Sequence, residues 1–243
     1  MVDSFKNQKE MLAVLRCAIE RYDMIAPGDS IAVGVSGGKD SLALLCLLAR
    51  LRLFYPKPFA LTALTLDPCF GEPMDWSPVA SLCNALDVPY IVKAAPFGEI
   101  LFGVEHKNER PCSLCAKMRR GVLHSLCVEY ECNKLALGHH QEDAAETFMM
   151  NLLRGGRAEC FAPVTYMSHK DIYVIRPLIF ALERDVAAFA RRNNLPITKI
   201  NCPVDSATER SKIKDLLADL SHDYGDLSKK ITGAMTKGGI SGW

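Results

Sequence analysis

Six consecutive residues, Ser36-Gly37-Gly38-Lys39-Asp40-Ser41, combine the groups that hold a phosphate chain. Two adjacent glycines let backbone amides approach an anion, and the start of the helix that follows adds the positive end of its dipole. Ser36 and Ser41 bring hydroxyls and Lys39 a compact cation. The Walker pattern is absent, because Lys39 is followed by Asp40 and the residue five before Gly38 is Val33. No three glycines take the spacing of a dinucleotide fingerprint either. A plain Gly-Gly turn followed by a lysine is the competing reading.

A second constellation is made of thiols. Cys112 and Cys115 stand one short turn apart, just before a helix expected over residues 116–130. One metal or cluster is within reach of both sulfurs, and Lys117, Arg119, Arg120 and the helix dipole favour thiolates. Zinc normally takes a second pair or a close histidine, and no second CxxC exists. A redox CxxC belongs beside a thioredoxin-like pattern, which is also missing. Cys202, in a loop between two expected helices, is the candidate third thiol. Three thiolates would leave one iron of a 4Fe-4S cluster open to an exogenous sulfide, so spacing alone leaves both a cluster and a structural zinc in play. The other seven of the ten cysteines default to packing, with Cys69 singled out because it follows Asp67 at a strand end. His139 and His140 follow Gly138, and Asp143 stands three residues on.

The elements that must position these groups alternate. Met11, Leu15, Ala18, Ile19 and Tyr22 recur at helical spacing and open the chain with an amphipathic helix. Strands are expected over residues 31–35, 61–66, 89–93, 134–137 and 172–175, and helices over 41–54, 77–86, 116–130, 143–153 and 183–193. From residue 206 onward the chain reads as helical, with a frayed Gly-rich tail. This order implies right-handed βαβ crossovers and a doubly wound parallel sheet of the α/β class. Ligands in such sheets sit outside the carboxyl ends of the strands, where the loops at residues 36–40, 67–68 and 138–143 fall. The expected division is an N-terminal helix (1–25), an α/β domain with the CxxC loop (26–200), and a third-Cys loop with a helical segment (201–243).

Composition narrows the class. With 243 residues, 49% hydrophobic and 23% charged, the chain can bury a full core as essentially one domain. That excludes a disordered tail, a collagen-like repeat and a highly charged nucleic-acid coat. The longest apolar run, residues 42–49, is far short of the ~18–20 residues of a membrane span. The polar start gives no signal peptide. Ten cysteines without an export signal point to a reducing, cytoplasmic setting. The net charge of +1 gives no nucleic-acid footprint, yet residues 105–120 hold five Lys/Arg against two Glu. Arg154, Arg157, Arg191, Arg192, Lys212 and Lys214 add smaller clusters that would guide a phosphate backbone or simply solvate helix faces.

In this context SGGKDS resembles the pyrophosphate-loop (PP-loop) ATPases, which activate a carbonyl oxygen as its adenylate. The resemblance extends through Met24–Asp29, Cys112–Gly121, Gly138-His139-His140, Thr147, Asn151, Ile175–Leu178, Cys202 and Ile213-Lys214-Asp215. In order and spacing these look like the tRNA 2-thiocytidine synthetase (TtcA-type) family. The likeness implies an adenine nucleotide alpha hydrolase-like fold that binds ATP at Ser36, Gly37, Gly38, Lys39, Asp40 and Ser41, with Asp67, Gly138 and His139 near the nucleotide. It implies Mg2+ on the pyrophosphate at Asp143, and a 4Fe-4S cluster on Cys112, Cys115 and Cys202. It further implies a tRNA cytidine thiolated at C2, a sulfur donor such as a cysteine desulfurase or free sulfide, and a homodimer. The fourth strand should flank the first, so that its loop faces Lys39 across the ATP. Two departures stand out: Glu142 replaces the first carboxylate of the family's GHHxDD, and residues 203–206 differ from its usual Gly-Ser-Gln stretch. The same chemistry on another tRNA position or a small molecule is the nearest alternative. A nucleotide-binding regulatory protein with zinc at the CxxC is the alternative from another class.

Overall fold

The computed structural model describes residues 5, 6, 8–70, 74–97, 101, 111–198 and 209–243, apart from the side chains of Pro111 and Cys112. Helix α1 (Gln8–Arg21) buries Met11, Leu12, Leu15, Ala18 and Ile19, the stripe its spacing predicts. The Pro27-Gly28 turn, where Gly28 takes a φ of +84° and donates to the Pro58 carbonyl, leads into β1 (Asp29–Gly34). Next comes α2 (Lys39–Leu51), in which ten of thirteen residues are buried. A helix apolar all round must lie between other layers, and α2 lies between the sheet and the helices α1 and α6 (Glu183–Arg192).

Strands β2 (Phe59–Asp67), β3 (Tyr90–Ala94), β4 (Lys134–Ala136), β5 (Val164–Met167) and β6 (Ile172–Ile175) complete one sheet in the order β3-β2-β1-β4-β6-β5. Every pairing is parallel except that of β5 with β6. Between them run α3 (Ser77–Ala85), α4 (Pro111–Glu129) and α5 (Gln141–Gly155). The period of two divides the strand residues between faces. Ile31, Val33 and Ala136 join the larger core with α1 and α2, whereas Ala32, Leu135 and Val174 pack with Leu126 and Cys127 of α4.

At the amino-terminal edge of the sheet, Asp29 accepts from Lys134 Nζ at 2.7 Å and from Asn133 Nδ2 at 2.8 Å. Lys134 also donates to the Met24 carbonyl at 2.8 Å. This buried, hydrogen-bonded pair ties β1 to β4, the two strands whose far ends carry the candidate loops. Beyond residue 208, α7 (Glu209–Tyr224) and α8 (Leu227–Lys237) lay Ile213, Leu217 and Ile231 against Ala145 and Met149 of α5.

Four features differ from the sequence reading. β5 forms an antiparallel hairpin with β6 at the sheet edge, and none of its residues is fully buried, so no apolar run marks it. α2 starts at Lys39 and α4 at Pro111, so Lys39–Ser41 and the CxxC belong to first helical turns, where Pro at the start of α4 needs no N–H partner. The tail does not fray. A 3-10 turn (Ile240–Gly242) ends on Trp243, which is 7% exposed and donates from Nε1 to the Phe161 carbonyl at 2.9 Å. Finally, Cys17 is exposed on α1, whereas Cys46, Cys83, Cys127 and Cys132 are buried as packing residues. Burial pushes the Cys46 and Cys127 thiols up to about 12, which makes them inert.

Candidate nucleotide and sulfur site

The loop after β1 is braced from within. Val35 extends the strand by donating to the Leu64 carbonyl at 2.8 Å. Ser41 Oγ donates to the Gly38 carbonyl at 2.9 Å and accepts from the Ser36 N–H at 3.1 Å, with Ser36 Oγ 3.2 Å away. Gly38 is the N-cap of α2, in extended conformation and with no side-chain cap bond. Among the described residues no side chain caps the first N–H groups of α2, which suits them to an anion.

Two close approaches admit only glycine. Gly37 has a φ of +80°, and a Cβ there would lie 2.8 Å from the Thr198 carbonyl oxygen, whose own N–H donates to Gly37 O at 2.9 Å. A Cβ on Gly138 would lie 2.9 Å from the carbonyl carbon and oxygen of Asp40. The loop after β4 thus touches the first turn of α2. β1 is flanked by β2 on one side and β4 on the other, which is the switch in strand order where such sheets bind ligands.

Carboxylates and cations converge on this point. Lys39 Nζ donates to Asp40 Oδ2 at 3.1 Å and to Glu183 Oε1 at 3.2 Å. Burial opposes its charge, but the two carboxylates outweigh that and raise its pKa. Glu183 Oε2 accepts from Lys214 at 2.7 Å, and the Glu183 N–H donates to Glu142 Oε2 at 2.9 Å. Asp143 accepts the His140 N–H at 3.0 Å and lies 3.4 Å from Arg210 Nη1. Arg210 also donates to Thr147 Oγ1 at 3.1 Å and sits 3.7 Å from the buried Glu146, whose pKa burial raises.

The two histidines divide. His139 stacks on Phe161 with centroids 4.9 Å apart, and the Arg176 guanidinium lies 4.8 Å from the same ring. Burial first, and Arg176 next, push its pKa down to about 4, so the ring is neutral. His140 lies 3.2 Å from Glu142, 3.4 Å from Asp143 and 4.0 Å from Asp40. Burial works against its protonation, but the three carboxylates prevail and raise its pKa. The histidine that reaches the Lys39 turn is therefore His140, while His139 packs behind it.

Asp67 ends β2 and is buried. Its oxygens accept from the Cys69 N–H at 2.8 Å and from Trp76 Nε1 at 2.9 Å. A ring carbon of Trp76 lies 3.1 Å from where a Gly37 Cβ would stand, so Asp67 supports the wall of the loop through the indole. Cys69 is exposed, with a φ of +53°. Cys115, half-buried in the first turn of α4, rests on the cluster of Leu66, Phe70, Phe97 and Leu101 at the carboxyl end of β2. The helix start favours a thiolate ligand, whereas the apolar wall beside it works the other way. Cys112 belongs to the same turn, but its side chain, like Cys202, lies outside the described residues. Among the described residues no group of three His, Cys, Asp or Glu forms a metal cage.

The sequence reading did not assign roles to Glu183, Arg210 or Trp76. Glu183 resembles any acidic residue opening a helix, and only the fold brings it to Lys39 from 144 positions away. Lys214 is expected from the sequence only as part of Ile213-Lys214-Asp215 and of a small basic cluster, not as the partner of Glu183.

A family model described as a PP-loop domain matches residues 9–219. The tRNA-cytidine(32) 2-sulfurtransferase of Geobacter sulfurreducens is 35% identical over 237 residues, covering 96% of this chain and 91% of that protein. The protein of the same name from Anaeromyxobacter dehalogenans is 36% identical over 219 residues, 89% of this chain and 75% of that one. Among solved structures, the U34-tRNA thiolase NcsA from Methanococcus maripaludis, with its 4Fe-4S cluster, superposes with a TM-score of 0.80 at 25% identity, covering 94% of this chain and 78% of that one. NMN synthetase from Francisella tularensis shares the fold alone, with a TM-score of 0.52 at 15% identity over 95% of this chain and 94% of that one. A family match over most of the chain, and relatives of this identity matched over most of their own length, place the protein: it belongs to the PP-loop ATPases and, within them, to the tRNA 2-thiocytidine synthetase (TtcA-type) family.

Proposed function

We propose that the protein is an ATP-dependent tRNA thiolase that replaces O2 of a cytidine with sulfur, position 32 being the one in its relatives' names. The observation that carries the reading is the uncapped start of α2 at the strand-order switch, closed by contacts that admit no side chain at Gly37 or Gly138. The cradle fits a pyrophosphate group.

In the first step the base carbonyl oxygen attacks the α-phosphorus of ATP, and the bond to pyrophosphate breaks. Negative charge grows on the departing pyrophosphate, which Lys39 and the first amides of α2 are placed to stabilise. The Ser36–Ser41 hydrogen bonds hold those amides rigid, so little reorganisation is needed as charge develops. Asp143 and Glu142 are the carboxylates that would hold Mg2+ on the phosphates, the donor type that ion prefers. Neutral His139 and Arg176 back the same loop. In the second step sulfur bonds to C2 and the carbon–oxygen bond breaks, releasing AMP. A 4Fe-4S cluster on Cys112, Cys115 and Cys202 would supply that sulfur, drawn from free sulfide or a cysteine desulfurase. Cys115 at the end of β2, the neighbour of β1, puts this turn at the same edge of the sheet as the phosphate loop. Bringing the two reactants together is the enzyme's main contribution.

Lys117 and Arg120, exposed on α4, offer cations to the tRNA backbone beside that turn. A homodimer in the cytoplasm completes the proposal, and no helix among the described residues is long and apolar enough to cross a membrane. The test is reconstitution: anaerobically purified protein, iron, sulfide, Mg-ATP and an unmodified tRNA transcript, followed by nucleoside mass spectrometry. The expected product is 2-thiocytidine with one AMP per sulfur inserted. ATP turnover with a thiouridine product, or with no thionucleoside, would refute the assignment.

A further inference from the structure

Lysine is a poor choice for the first residue of a helix, because the positive end of the dipole repels it and its stem is flexible. Lys39 occupies that position, so something must aim its ammonium. Asp40, one residue away on the same turn, accepts it at 3.1 Å but moves with that turn. Glu183 comes from the start of α6 and fixes the direction, accepting Lys39 Nζ at 3.2 Å. Glu183 is itself held from two further sides, by Lys214 at 2.7 Å and through its N–H to Glu142 at 2.9 Å. Lys39, Asp40, Glu183 and Lys214 sum to zero charge. Without Lys214 the group would present a net negative charge to a polyphosphate.

We propose that Glu183, neutralised by Lys214, is the positioning residue that aims Lys39 at the departing pyrophosphate. The inference rests on reading Ser36–Ser41 as the nucleotide loop and adds to it a residue that never touches ATP. An interaction that sharpens in the transition state changes rate more than ground-state affinity. Glu183→Gln keeps the shape and loses the charge. It should lower tRNA-dependent ATP–pyrophosphate exchange tenfold or more while the dissociation constant for the non-hydrolysable analogue AMPCPP changes less than threefold. In a Lys39→Met background the same substitution should have no further effect on exchange. Lys214→Met leaves Glu183 with only Lys39 as a cation and the group with a net negative charge toward the triphosphate. It should weaken AMPCPP binding at least threefold, and adding Glu183→Gln should restore it.

These readouts separate aiming from a structural role, which would add to Lys39→Met and would not rescue Lys214→Met. Equal losses of exchange in both Lys39 backgrounds, or no rescue in the Lys214 background, would overturn the inference and leave the nucleotide loop standing. Unchanged binding and exchange in Lys39→Met alone would remove the nucleotide-loop reading and this inference together. Should Glu183→Gln fail to fold by itself, the Lys214→Met pair of chains still decides the matter.

Discussion

Gly138→Ala places one methyl group where the loops after β1 and β4 meet. The added Cβ would stand 2.9 Å from the carbonyl carbon and oxygen of Asp40 and 3.0 Å from the Ser41 nitrogen. All three are backbone atoms, so no side chain can rotate away, and the chain itself must move by several tenths of an ångström. Overpacking of this kind costs about 1–3 kcal/mol. At roughly 2–4 °C per kcal/mol for a chain of this size, the melting temperature should fall by about 2–12 °C. Any of that strain relieved by shifting the Lys39–Ser41 turn is charged to nucleotide binding. The full range corresponds to roughly a 5- to 150-fold loss of affinity. Gly121→Ala is the control. Gly121 lies exposed in α4 with nothing within 4 Å of a built Cβ, so alanine there should stabilise the helix by about 0.5–1 kcal/mol. The assay is thermal melting with calorimetric titration of AMPCPP on both variants and the parent. A Gly138→Ala protein that melts within a degree of the parent and binds the analogue equally well would refute the contact.

Two further substitutions probe the frame around the loops. Asp29→Ala leaves Lys134 buried and unpaired, which should cost about 3–5 kcal/mol, while Asp29→Ala with Lys134→Met should cost less than Asp29→Ala alone. Denaturant titration measures both, and a single-variant loss below about 1 kcal/mol would contradict the buried-pair assignment. His139 supplies a pH signature. Its folded pKa of about 4 lies below the ordinary 6.5, so the unfolded chain takes up a proton that the native ring refuses. Stability should therefore fall as pH drops from 6.5 toward about 4. His140, whose pKa is raised, contributes in the opposite sense, with stability present below 6.5 and lost as pH rises through its folded value. His139→Phe should flatten the acid limb of a melting-temperature profile, and an unchanged limb would show that His139 is not held neutral.

Much of the frame was legible in the residues. The run at 42–49 is apolar at every position because α2 is covered on all sides, and strands β1 to β4 and β6 announced themselves by their apolar runs. β5 escaped because it is an edge strand with no fully buried residue, whereas the equally short β4 and β6 are mostly buried and apolar. Helix starts were placed late at Lys39 and Pro111, since charge, glycine and proline read locally as loop although each suits a first helical turn. The Gly-rich end hid a docked Trp243, whose partner, the Phe161 carbonyl, lies 82 positions away. The site shows the same division. SGGKDS and the Gly138 loop are contiguous and could be read directly. Glu183 and Arg210 act through contacts across α5, α6 and α7, and no local pattern distinguishes such residues from solvated charges on a helix face.

Nucleoside mass spectrometry of bulk tRNA tests the central claim most directly. Cells lacking the protein would be compared with the same cells carrying either the parent chain or Lys39→Ala. The expected result is 2-thiocytidine lost on deletion, restored by the parent chain and not by Lys39→Ala. A thionucleoside profile that is the same with and without the protein would contradict tRNA thiolation outright.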